Sequence, residues 1–150
     1  MRLVLVLAAM IAIVASSMNA RAQQSVHVPV KVGDRTLQLA ATLYLPRKAG
    51  RHPAVALFHG CGGIGQNVVR MAQLLNAKGY ATLVVDSFGA RGIRGACTTN
   101  WPTPAQAMER TQDIQASVQW LMARGDVDAG GVGVIGYSYC LLYTSDAADE

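Results

Sequence analysis

The chain is 150 residues long, 51% apolar and only 15% charged, and its formal net charge of +4 includes Arg2 and Arg21 near the N-terminus. That composition fits one compact domain and excludes a disordered, charge-rich segment. The basic residues are scattered, without runs or interleaved aromatics, which argues against a nucleic-acid surface.

Met1-Arg2 gives a positive tip, Leu3 to Ala15 is apolar and uncharged, and Ala20-Arg21-Ala22 forms an A-x-A site. A membrane anchor needs roughly 20 apolar residues, and this run is shorter. Residues 1–22 therefore read as a secretory signal peptide cleaved after Ala22, which places the mature protein in the periplasm or outside the cell. No later segment is long enough to span a bilayer, so no membrane association is expected after cleavage.

Val26, Val28, Val30 and Val32 alternate with polar residues or Pro29, the period of a half-buried strand. Pro29 cannot donate to a ladder, so this strand belongs at a sheet edge. Gly33-Asp34 supplies a turn, and Leu37, Leu39, Ala41, Leu43 and Leu45 alternate up to Pro46, completing an antiparallel hairpin. After His52-Pro53 the pattern changes. Ala54 to Phe58 is a continuous apolar run, as in a strand buried on both faces of a parallel sheet. A helix follows, with Val68, Met71, Ala72 and Leu75 on one face and Gly79 at its C-terminal cap.

Ala81 to Val85 is a second buried strand. Thr103-Pro104 with Gln106 then makes a capping-box helix start, with Ala107, Ile114, Val118 and Leu121 as the buried stripe and Gly125 at the end. Val132 to Ile135 is a third buried strand. A hairpin followed by strand-helix-strand-helix-strand implies a single α/β domain over residues 23–139, its last three strands parallel and its helices on both faces. Such a sheet is expected to continue past Ile135, leaving this stretch a poor candidate for stable folding alone. Cys140 to Glu150, CLLYTSDAADE, breaks the patterning and matches at every position the conceptual translation of a transposase-type sequencing adapter. Residues 140–150 are thus expected to be foreign to the gene, with Gly the native residue at 140.

The third buried strand runs into Gly136-Tyr137-Ser138-Tyr139. A serine two residues after glycine at a strand end fits a nucleophile elbow, whose sharp turn projects the hydroxyl above the sheet. An ordinary strand-end serine would show the same half motif. His59-Gly60-Cys61-Gly62-Gly63 after the first buried strand adds weight, because acyl-transfer sites of this kind take one oxyanion-holding N–H from that loop and one from the residue after the nucleophile. Those donors would be Cys61 and Tyr139.

FHGCGGIG, VVDSFGARG with the later Cys97, and GVIGYSY together resemble the dienelactone hydrolase family. The similarity covers most of Val26 to Tyr139. It implies the α/β-hydrolase fold, of which this chain would carry the N-terminal portion. It also implies hydrolysis of a small-molecule ester or lactone through an acyl-enzyme, without a cofactor or a metal. Ser138 then maps to the nucleophile, and Cys61 and Tyr139 to the oxyanion hole. Dienelactone hydrolase itself uses cysteine as nucleophile, so the chain resembles a serine-bearing relative.

In this fold the triad acid and histidine follow the serine. No histidine follows Ser138, and Asp146, Asp149 and Glu150 lie in the suspect tail. The 150 residues alone are therefore expected to be inactive. His27 and His52 read as surface residues, and His59 as a structural hydrogen-bonding group.

Arg91, in the loop after the second buried strand with Asp86 and Arg94, is placed either to grip a substrate carboxylate or to brace the loop. Cys61 and Cys97 could pair in an exported protein or stay as thiols. Gly60, Gly62 and Gly65 also spell G-x-G-x-x-G, with Asp86 ending the next strand like a ribose-binding acid, so a dinucleotide-binding oxidoreductase is the alternative enzyme class. The preceding hairpin and His59 count against it. A non-catalytic truncated product is the alternative outside enzymes.

Overall fold

The computed structural model describes residues 23–97 and 103–138. The expected leader, Tyr139 and the tail from Cys140 fall outside them. Five strands form one sheet in the order β1-β2-β4-β3-β5. Strand β1 (Gln23–Val32) pairs antiparallel with β2 (Arg35–Tyr44) across the Gly33-Asp34 turn, where Gly33 takes φ +58°. Val28 and Val30 are fully buried while His27, Pro29 and Lys31 are exposed, so the period-two reading holds and β1 lies at the sheet edge that Pro29 requires.

Strand β3 (His52–Phe58) lies between β4 (Ala81–Val85) and β5 (Val127–Gly136), parallel to both. Phe58 pairs with Val85 on one side and with Gly136 on the other, so all three strands end at the same level. The chain moves from β3 to one neighbour and then returns past β3 to the other. That is the reversal of strand order at which open α/β sheets place their ligands, outside the C-terminal strand ends.

Helix α1 (Gln66–Ala77) packs Val68 and Ala72 on Tyr44, Val55, Leu57 and Val84. It ends as its Gly79 predicts: Gly79 takes φ +96° and donates to Asn76 O, while Tyr80 N–H reaches Leu75 O, which together close the last turn. Helix α2 (Pro104–Met122) lies on the opposite face with the cluster of Val28, Leu39, Leu43, Phe58 and Val127. Both hydrogen bonds of the Thr103–Gln106 capping box are present.

Two expectations need correction. The buried stripe of α2 is not the apolar one. Ile114 and Leu121 are buried, but they share the buried side with Arg110, Asp113 and Ser117, while Ala107 and Val118 are only half-buried. Strand β5 is longer than Val132 to Ile135 and starts at Val127, and among the described residues it is an edge strand with Val132, Val134 and Ile135 half-exposed.

Candidate active site at the C-terminal strand ends

Three loops meet where β3, β4 and β5 end. The first is His59 to Gly65, the second Asp86 to Cys97, and the third the turn after Gly136. Tyr137 N–H donates to Phe58 O (3.0 Å), which fastens the third loop to the start of the first.

Ser138 is exposed and has φ +56°, the one non-glycine residue with positive φ among the described residues. A serine there carries backbone strain on the order of 1–3 kcal/mol, which persists only where the surrounding structure imposes it. A strained serine on a sharp turn directly after a parallel strand is the geometry of a nucleophile elbow. The structure also shows what lies against it. A Cβ on Gly60 would stand 3.1 Å from Ser138 Cβ and 3.2 Å from Tyr137 O, so a side chain there would have to push the elbow back by a few tenths of an ångström.

Cys61 follows at once. Its carbonyl accepts from Ala96 N–H (2.8 Å), and its sulfur is bonded to Cys97, which settles the open cysteine question in favour of the disulfide. Tyr139, the other expected oxyanion donor, lies outside the described residues.

His59 is fully buried. Its Nδ1 lies 2.8 Å from Gly60 O, and its Nε2 accepts from Ser87 N–H (3.3 Å). Accepting at Nε2 and donating at Nδ1 fixes a neutral ring, a tautomer inferred from these partners. Burial is the main cause that pushes its pKa down, and the Arg110 charge adds to it against Gly60 O and Asp86. A ring held neutral by two main-chain partners has no free nitrogen for proton transfer. The structural reading of His59 therefore stands, and His27 is exposed as expected. His52 is half-exposed, with its Nε2 2.8 Å from Lys48 O.

Arg91 takes the bracing role, not the substrate-gripping one. Its guanidinium donates in a fork to Asp113 (2.9 and 3.0 Å), meets Glu109 at 3.0 Å and reaches Ser87 O at 2.8 Å. A carboxylate-binding guanidinium would have to leave these partners, and Asp113 is wholly buried. Burial pushes the Asp113 carboxyl up, against the pull of the Arg91 hydrogen bonds and charge.

Arg110, also buried, donates to His59 O (2.6 Å) and lies 5.3 Å from the centre of the Phe88 ring. Sequence reasoning missed this polar cluster. The spacing of Arg110, Asp113 and Ser117 on one helical face was the available signal.

The alternative glycine reading fails on geometry. Of Gly60, Gly62 and Gly65, Gly60 alone lies against the elbow, at Ser138 and Tyr137 O, whereas a Cβ on Gly65 would meet only the end of the Asn67 side chain (2.7 Å). Asp86 Oδ1 accepts from Phe88 N–H (2.9 Å) and Gly89 N–H (3.0 Å), capping its own turn. Among the described residues no group of three or more His, Cys, Asp or Glu could hold a metal ion.

The comparisons concern the fold and the family. A family model described as X-Pro dipeptidyl-peptidase (S15 family) matches residues 34–147. The uncharacterized protein YcjY of Escherichia coli (strain K12) is 29% identical over 117 residues, covering 75% of this chain and 37% of that protein. Among solved structures, the dienelactone hydrolase-like promiscuous phosphotriesterase P91 from metagenomic libraries superposes with a TM-score of 0.61 at 20% identity, covering 85% of this chain and 56% of that one. Dienelactone hydrolase from Anabaena variabilis gives 0.59 at 20% identity, covering 85% and 60%. Est1E from Butyrivibrio proteoclasticus gives 0.60 at 20% identity, covering 83% and 47%. The fold is thus the α/β-hydrolase fold, and the chain spans less than two thirds of the length of each of these proteins.

Proposed function

The chain belongs to the family described as X-Pro dipeptidyl-peptidase (S15 family), within the α/β-hydrolase superfamily, and on that premise we propose that it is the N-terminal part of an exported serine hydrolase acting on a small ester or lactone. The observation that carries this reading is Ser138, held at φ +56° at the end of β5 with Gly60 packed against it. In the proposed reaction Ser138 Oγ attacks the substrate carbonyl and forms an acyl-enzyme that water then hydrolyses. The main-chain N–H groups of Cys61 and Tyr139 hold the oxyanion, and each such donor is worth about 3 kcal/mol in the transition state. The acid and the histidine that activate the serine lie beyond Ser138 in the complete protein. No cofactor takes part.

A second reading, cleavage of a peptide bond, is favoured by the description of the matched family. Ester and peptide pass through the same tetrahedral oxyanion, so the site itself accommodates both. The test is the complete protein with Ser138→Ala, assayed on activated esters, lactones and X-Pro peptides. The expected result is a loss of about 10³-fold or more in kcat on esters, the size of effect that removing a nucleophile has in such sites. Undiminished ester hydrolysis by the variant contradicts the assignment, and turnover of X-Pro peptides alone selects the second reading. Reading the gene across codon 140 tests the tail: Gly there, with an Asp and then a His downstream, agrees with the proposal.

A further inference from the structure

We propose that the Cys61–Cys97 disulfide positions the oxyanion loop, so that the hydrolase reading given above, on which this rests, works at full rate only while that bond is closed. The loop after β3 has two differently held halves. Its start is fixed by packing: His59 is buried, its carbonyl accepts from Arg110 (2.6 Å), and Gly60 lies against the elbow. Beyond Cys61 come Gly62 and Gly63, the latter at φ +82°. These glycines have no side chains to anchor, and a Cβ on Gly63 would touch nothing within 4 Å. The backbone closest to the expected oxyanion therefore passes from a packed segment into a turn that is held to it by one hydrogen bond, Gly63 N–H to Gly60 O (3.2 Å).

Cys61 stands at that boundary, and it is tied twice to the loop after β4. One tie is the hydrogen bond from Ala96 N–H to Cys61 O (2.8 Å), and the other is the disulfide to Cys97, 36 residues away in sequence. The loop after β4 is itself braced at Arg91 by Asp113, Glu109 and Ser87. Through the disulfide, a rigid polar cluster holds the residue whose N–H is assigned to the oxyanion. Losing the bond leaves only two main-chain hydrogen bonds, Ala96 N–H to Cys61 O and Gly63 N–H to Gly60 O, to hold Cys61 and the turn after it, and displacements of about 1 Å at such a donor can cost 10²-fold.

The bond is also open to chemistry. Cys97 is exposed and Cys61 half-exposed, and the exchange starts with an external thiolate attacking the Cys97 sulfur. It forms a mixed disulfide there and expels the Cys61 thiolate, which takes up a proton. A second external thiol then attacks the mixed disulfide, leaving with the first as an external disulfide and releasing the Cys97 thiol. Two thiols are oxidised and one protein disulfide is reduced.

The test uses the complete protein with a dithiol reductant, an activated ester, and amide hydrogen exchange on the same samples. Reduction is expected to lower kcat about tenfold, with KM little changed because the oxyanion forms only in the transition state. Reoxidation restores the rate, and Cys97→Ser has the low rate without responding to reductant. Exchange should rise in residues 60–65 and 92–97 and stay constant in β3 and β4.

Unchanged kcat with both thiols titrated free overturns the proposal. So does a loss of rate accompanied by faster exchange throughout the sheet, which would make the bond a staple of the whole fold. If the oxidised protein hydrolyses nothing, the serine-hydrolase reading fails separately. The exchange pattern then decides the disulfide's role: a rise confined to the two loops supports the positioning, and no rise overturns it.

Discussion

The two faces of the sheet are built on different principles. On one, α1 buries Val68 and Ala72 against Tyr44, Val55, Leu57 and Val84, an apolar contact of the ordinary kind. On the other, α2 buries Arg110, Asp113 and Ser117 beside Ile114 and Leu121. The apolar face holds the sheet together. The polar face reaches past the strand ends and fixes the loops, Arg110 through His59 O and Asp113 through Arg91. Burying charge contributes little net stability, because desolvation offsets the attraction, but it gives hydrogen bonds of fixed direction. The comparison teaches that stability and positioning are divided between the two helices.

The sharpest way to break this comparison is to remove Asp113. Asp113→Ala removes the buried carboxylate from Arg91 and leaves it only the more exposed Glu109 and Ser87 O, and the complete protein should lose about 3 kcal/mol, measured by denaturant unfolding. The hydrolytic rate should fall as well. A loss under about 1 kcal/mol would mean that the loop after β4 is held by its backbone alone and that the two faces do not differ as described.

Val68→Ala on the opposite face should cost about 2 kcal/mol, from two lost methyl groups and the small cavity they leave. Ester hydrolysis at a temperature where the variant is folded should be unchanged. A fall in kcat there would show that α1 also positions the site.

The smallest expected effect is in the pH dependence of stability. Burial pushes the His59 pKa below the ordinary histidine value of about 6.5, so the unfolded chain binds the proton more readily than the folded one. The stabilisation is therefore fully present above that unfolded value and is lost as pH falls through it toward the folded pKa. Unfolding midpoints measured across this range should drop on acidification, and His59→Asn should flatten the drop. The raised Asp113 carboxyl acts in the opposite direction, so the comparison of the two proteins decides: a drop of the same size in His59→Asn would contradict a buried neutral ring.

Much of the fold was legible from pattern. Ala54 to Phe58 and Ala81 to Val85 read as buried strands because no polar residue interrupts them, and Pro29 marked the edge because it cannot donate. Thr103, Gln106 and Gly79 marked helix ends through hydrogen bonds local to a few residues, which a linear pattern can carry.

What was missed depends on contacts distant along the chain. Arg91 finds Asp113 across 22 positions and Arg110 finds the carbonyl of His59 across 51, so charged residues that periodicity assigns to solvent became the buried side of α2. The start of β5 was missed because Asp128, Gly130 and Gly131 interrupt the apolar run that marks a buried strand, although they continue the strand. At the site, the Gly-x-Ser spacing identified Ser138, whereas the cause of the glycine at position 60, its approach to that serine, was visible only in three dimensions.

The central claim is that Ser138 is the nucleophile, and the most direct measurement is covalent. The complete protein is treated with a fluorophosphonate, digested, and the modified residue located by mass spectrometry. The account predicts a single phosphonyl adduct on Ser138, formed by the wild type and absent from Ser138→Ala. Modification of a different residue, with Ser138 unlabelled and ester hydrolysis nonetheless blocked, would contradict it.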